Sequence, residues 1–170
     1  MVFHMLRHKV GDDNFRRALQ VFNRSNKYKK ASFSDIKDAF EETVDEDLTP
    51  FFNQWVERTG APKLTLTNLS SNKVDGAYEL KFHLNQVQKE DPFSFEIPMV
   101  IVDEKGTHTT MIPVGDRVSK YSFKINDEPI KILIDPEFDV MRNLDPTETP
   151  PAFTEAYGAE LTLMILPEKS

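Results

Sequence analysis

The chain contains no cysteine. That excludes disulfides, thiolate catalysis and cysteine-based metal sites, and it leaves no signal from which a compartment could be read. Glycine is scarce, with six residues in 170, each standing alone, so no glycine-rich loop can cradle a phosphate. No nucleophile elbow is present. No apolar run approaches the ~20 residues that a membrane helix needs, and no basic stretch followed by an apolar one opens the sequence. A membrane is therefore not an expected partner. Positive charge is in deficit, with 21 Lys and Arg against 28 Asp and Glu, a net charge of -7. The first 62 residues hold about ten of each sign, so the excess acid falls in the remainder. An acidic remainder argues against nucleic acid as a ligand. The basic block of Arg16, Arg17, Arg24, Lys27, Lys29 and Lys30 and the acidic block from Asp35 to Asp47 read as two solvated faces attracting each other across a helix pair.

The composition that is present, 39% hydrophobic and 29% charged, fits one globular domain or a small piece plus a domain. The stretch from Asp47 to Thr67 carries the most information. Leu48, Phe51, Phe52, Trp55 and Val56 recur at three- and four-residue steps and predict one apolar helix face. Asp47 suits an N-cap and Pro50 the first turn. Gly60 suits the left-handed position after a helix end, and Pro62 forbids resumption. From Lys63 the period drops from 3.6 to 2.

Upstream of that seam three more helices are expected. Val2, Phe3, Leu6 and Val10 form one apolar face before Gly11. Asp12 or Asp13 caps the next helix, with Phe15, Ala18, Leu19 and Phe22 on its face. Ser32 with Asp35 predicts a capping box for the third, with Phe33, Ile36, Ala39 and Phe40 apolar. Downstream, alternation at Tyr78–Leu84, Phe93–Ile97, Thr107–Val114, Tyr121–Ile125 and Ile130–Ile134, with turn signals between, predicts short antiparallel strands. Pro98 separates Phe93–Ile97 from the apolar run Met99–Val102. Counting both of these and the strand at Lys63, about seven strands result, the pattern of a sandwich. Pro98 and Pro113 are expected at edges or bulges. The fold class is thus α+β: a short N-terminal helical segment (1–62), an antiparallel β-sandwich of about seven strands (63–142), and a Pro-rich linker with a terminal apolar strand (143–170, apolar over 161–166).

His4 and His8 stand one helical turn apart, a spacing that can hold zinc. Met5 occupies the position where an HExxH peptidase carries its general base, and Asp12 and Asp13 serve better as caps than as a third ligand. Surface or packed histidines are the plainer reading. His83 and His108 fall in strands, with no partner that can be named.

The residues Val2-Phe3-His4-Met5-Leu6-Arg7, Gly11-Asp12-Asp13-Asn14-Phe15, Phe51-Phe52-Asn53-Gln54-Trp55-Val56 and Gly60-Ala61-Pro62-Lys63-Leu64 together resemble the zinc metallo-aminopeptidase family of the aminopeptidase N type, the gluzincins. The resemblance implies the C-terminal part of that family's catalytic domain followed by its β-sandwich domain. The family's HExxH helix, third zinc ligand, GxMEN strand and catalytic tyrosine match no position in this chain. It therefore implies a non-catalytic fragment of a zinc aminopeptidase that braces the peptidase cleft. No catalytic, cofactor-binding or metal-ligating residue is assigned, and zinc belongs to the larger peptidase. The expected partners are the remainder of that peptidase, its peptide substrate, and a second copy through an exposed helical face at Phe3, Leu6, Phe15, Leu19 and Phe22. Two other readings stay open: a self-standing sandwich module that binds protein or glycan, and a metal-dependent hydrolase using His4 and His8.

Overall fold

The computed structural model describes residues 1–148. The terminal apolar stretch 161–166 lies outside them. Helices α1 (Val2–Val10), α2 (Asp12–Asn26), α3 (Phe33–Val44) and α4 (Thr49–Phe52) come first. Six strands follow: β1 (Leu64–Val74), β2 (Ala77–Gln86), β3 (Phe95–Asp103), β4 (Gly106–Val114), β5 (Val118–Ile125) and β6 (Lys131–Ile134). The α+β class holds. The strands form two three-stranded antiparallel sheets, ordered β1-β2-β5 and β4-β3-β6.

The expected seventh strand disappears because β3 runs straight through Pro98, which sits in a central strand and not at an edge. Proline is tolerated there for a local reason. In a strand, a residue's N–H and C=O point to the same side, and the Pro98 carbonyl accepts from the Asp135 N–H at 2.8 Å. That side faces just past the end of the four-residue β6, whose pairing with β3 stops at Met99 opposite Ile134. The Asp135 carbonyl, which a continued ladder would offer to the donor that proline lacks, instead accepts from the Phe138 N–H at 3.2 Å. Pro113 lies in β4, an edge strand, as expected.

Alternation decides the inward faces. Leu80, Phe82 and Leu84 of β2, Ile97, Met99 and Ile101 of β3, and Ile112 and Val114 of β4 join one buried cluster, so both sheets contribute to the same core. The β1–β2 turn places Asp75 at φ +50° and Gly76 at φ +81°, the pair of left-handed residues that a tight two-residue hairpin requires.

The helices build a second buried cluster from Leu6, Val10, Ala18, Phe40, Leu48 and Phe52. Gly11, at φ +79°, ends α1 and also serves as the N-cap of α2. Asp12 and Asp13 are thus first-turn residues and not caps, placed where a carboxylate complements the helix dipole. Asp12 instead accepts two hydrogen bonds from the Arg7 guanidinium, at 2.6 and 2.7 Å, which hold its carboxyl below the usual carboxylate range.

Ser32 and Asp35 form the expected capping box at α3. The Ser32 N–H and hydroxyl both donate to Asp35 Oδ2, at 2.7 and 2.8 Å. The Ser32 amide, and then its hydroxyl, lower the Asp35 carboxyl from its ordinary value. A carboxyl with a depressed folded-state value stabilises the fold fully above the unfolded chain's range, about pH 4. That contribution is lost as pH falls through the folded value. Asp35→Asn should therefore separate from the unaltered chain in urea unfolding at pH 6, and the gap should be narrower at pH 3. Parallel behaviour at both pH values would remove Asp35 from the acid response.

The seam helix departs from regular geometry. After α4 the chain widens to a π turn over Asn53–Glu57, closed by the Arg58 N–H donating to the Asn53 carbonyl at 2.9 Å. Asp47 accepts from the Thr49 N–H at 2.9 Å, and Leu48 takes the N-cap position. The widening divides the expected single face. Leu48, Phe52 and Val56 pack in the helical cluster, Trp55 turns into the sheet cluster, and Phe51 touches both.

Candidate functional site

Three residues of the seam, Gln54, Trp55 and Arg58, grip one segment, 91–95, at the entry to β3. Gln54 pairs with Ser94 as a strand would: its amide donates to the Ser94 carbonyl at 2.8 Å and its oxygen accepts from the Ser94 N–H at 2.7 Å. Trp55 stacks on Phe93 with ring centroids 5.4 Å apart and meets Phe95 edge-on at 5.8 Å. The Arg58 guanidinium lies 3.7 Å from the Phe93 ring centroid and donates to the carbonyls of Pro92 and Asp91. From the other side, the buried Gln86 gives Phe93 the same two-point pairing, at 2.8 Å each way. These contacts fasten helix to sheet.

A second junction joins α1 to the loop after β6. Asp135, fully buried at φ +52°, organises it. Its Oδ1 accepts from the Asp139 and Val140 N–H groups at 2.7 and 3.3 Å, and its Oδ2 from Arg142 Nε at 2.8 Å. Burial pushes the Asp135 carboxyl up, while the Arg142 guanidinium and the two amides pull it down. Arg142 also donates to Glu148 at 2.6 Å. Val140 is buried in the sheet cluster, and the Met141 N–H approaches the Met5 sulfur of α1 at 3.2 Å. The stretch from Asp135 to Glu148 is therefore a folded knot.

That knot presents Asp139 to α1. Asp139 Oδ1 lies 2.7 Å from His4 Nε2, and the His4 and His8 rings meet edge to face at 4.5 Å. Two imidazoles and a carboxylate thus converge at one surface point. The third member comes from neither Asp12 nor Asp13. His83 Nδ1 faces the Asn68 amide at 2.9 Å, and His108 Nε2 faces Asp103 Oδ2 at 3.0 Å, so the structure supplies a partner for each. Among the described residues, no second group of three metal-type ligands gathers.

The expected open apolar face is only partly open. Leu6 is buried, because α3 and α4 supply Phe40 and Phe52 to the same cluster. Phe15 and Phe22 are half-buried. Phe3 and Leu19 are exposed, as is Phe33, which stacks on Phe3 at 6.3 Å.

No family model matches the chain. A protein of Sulfurisphaera tokodaii described as "Probable aminopeptidase 1" is 24% identical over 125 residues, which are 74% of this chain and 15% of that protein. The fold is similar to that of Legionella pneumophila aminopeptidase A, solved in complex with aspartic acid: TM-score 0.63 and 17% identity, covering 85% of this chain and 17% of that one. The chain spans less than a fifth of the length of either protein. It is a weak homologue of an aminopeptidase and shares part of its fold with another.

Proposed function

We propose that this chain is a non-catalytic scaffold portion of a zinc aminopeptidase of the aminopeptidase N type. Residues 1–62 close the helical lobe of the catalytic domain, and 63–142 form the sandwich domain that follows. The observation that carries this reading is coverage: most of this chain matches a small share of a peptidase both in sequence and in fold. The seam motif supports it, since Gln54, Trp55 and Arg58 bind helix to sheet and leave chemistry to other parts of the larger enzyme. The exposed Phe3, Leu19 and Phe33 offer that enzyme, or a second copy, an apolar face. Zinc and the peptide substrate belong to the whole peptidase, and neither nucleic acid nor membrane is a partner.

The test is direct. The chain with added zinc should leave chromogenic amino-acid amides uncleaved, and size-exclusion elution should move to larger size as concentration rises. Turnover that a chelator abolishes would overturn the reading. The alternative, a self-standing module that binds protein or glycan, draws on the helices' own buried cluster. It predicts a monomer at every concentration.

A further inference from the structure

We propose that His4, His8 and Asp139 form a zinc clasp that pins the first helix to the loop after the last strand. One ligand atom from each residue lies within 4.8 Å of the other two. Around a tetrahedral zinc with bonds of about 2.0–2.2 Å, neighbouring ligand atoms sit about 3.3 Å apart. The present spacings start at 2.7 Å between His4 Nε2 and Asp139 Oδ1 and none exceeds 4.8 Å. Side-chain rotation alone can open the short pair and draw His8 in. Solvent reaches the site, because His4 and His8 are exposed and Asp139 is half-buried, so an ion has a path in and water can complete its shell.

The donor set selects the ion. Two imidazoles with one carboxylate suit zinc and its borderline neighbours. Magnesium and calcium prefer all-oxygen shells. The support is already built. The buried Asp135 carboxylate accepts the Asp139 N–H at 2.7 Å, fixing the backbone from which the third ligand projects. On α1, the four-residue step places both rings on one helix face.

The consequence is mechanical. The ligands come from opposite ends of the described chain, and they converge only when the chain is folded. An ion that binds the folded form raises its stability by mass action. The clasp is independent of the scaffold reading, because turnover of an amide substrate would leave this zinc response as it is.

The experiment uses the full chain, stripped with chelator and titrated with zinc chloride, followed by calorimetry and by thermal unfolding. One equivalent should bind and Tm should rise with zinc, while magnesium chloride leaves Tm unchanged. Changes that act only behind a metal ligand weaken affinity about 10–100-fold, so His8→Ala and Asp139→Asn should each lose at least tenfold and flatten the Tm response. His108→Ala should bind zinc like the unaltered chain. Asp139→Asn that binds as tightly as the unaltered chain would reduce the site to an ordinary surface histidine pair and overturn the clasp. Absence of saturable binding, or loss of it in His108→Ala, would overturn it as well.

Discussion

Trp55→Ala should lower the unfolding free energy by about 3–5 kcal/mol, the range for deleting a buried aromatic side chain. Trp55 is the chain's one tryptophan and is 5% exposed. Its removal opens a cavity between Phe93 and Phe95 and takes away the ring that anchors the π turn to the sheet cluster. Arg58 on Phe93 and Gln54 on Ser94 remain, but both are short-range contacts that rely on the segment 91–95 staying in place. Trp55→Phe keeps an aromatic face on Phe93 and should lose much less. Far-UV circular dichroism during urea unfolding measures both variants, since the tryptophan fluorescence is gone. A loss for Trp55→Ala below about 1 kcal/mol would mean that the two clusters do not depend on each other through this residue.

Asp135→Ala is the second large effect, about 3–5 kcal/mol. The Asp135 side chain is fully buried, and that of Arg142 is 3% exposed. Deleting the carboxylate strands a buried guanidinium with only Glu148 to pair it. It also orphans the Asp139 and Val140 amides, each a further desolvation cost. Arg142→Met alone should be milder, because the two amides keep their acceptor. In the double variant the lost pair is no longer counted twice, so its cost should fall clearly short of the two single costs added together. Strict additivity in that cycle, read by urea unfolding, would show that the ion pair itself contributes nothing.

What the sequence disclosed is what short-range chemistry decides. Pro50 sits in the first turn of the seam helix and Ser32 with Asp35 caps α3 within one turn, whereas the seam helix ends at Glu57 on an extended Arg58, before the left-handed Gly60 is reached. The π turn was not legible, because Leu48, Phe52, Trp55 and Val56 satisfy one α-helical face equally well. Only the sheets, packed on one side, turn Trp55 away from the others. Pro98 misled for a similar reason: whether proline fits a central strand depends on where a neighbouring strand stops. The candidate site was half visible. His4 and His8 stand out by spacing, whereas Asp139 lies 135 residues from His4 in a stretch without periodicity, and nothing local marks it. The role of Asp135 had a faint signal, as an acid directly after the alternating Ile130, Ile132 and Ile134.

The chain enters its sheets at Lys63 and, after six strands, comes back beside the same residue. Lys63 forms a parallel bridge with Asn143, and the Asn143 N–H donates to the Pro62 carbonyl at 2.9 Å. Adjoining entry and exit points let a stretch of chain be grafted into a foreign host without straining it. A graft cut at those two points would nonetheless leave Phe93 bare of Trp55. A portable unit therefore has to begin upstream of Trp55.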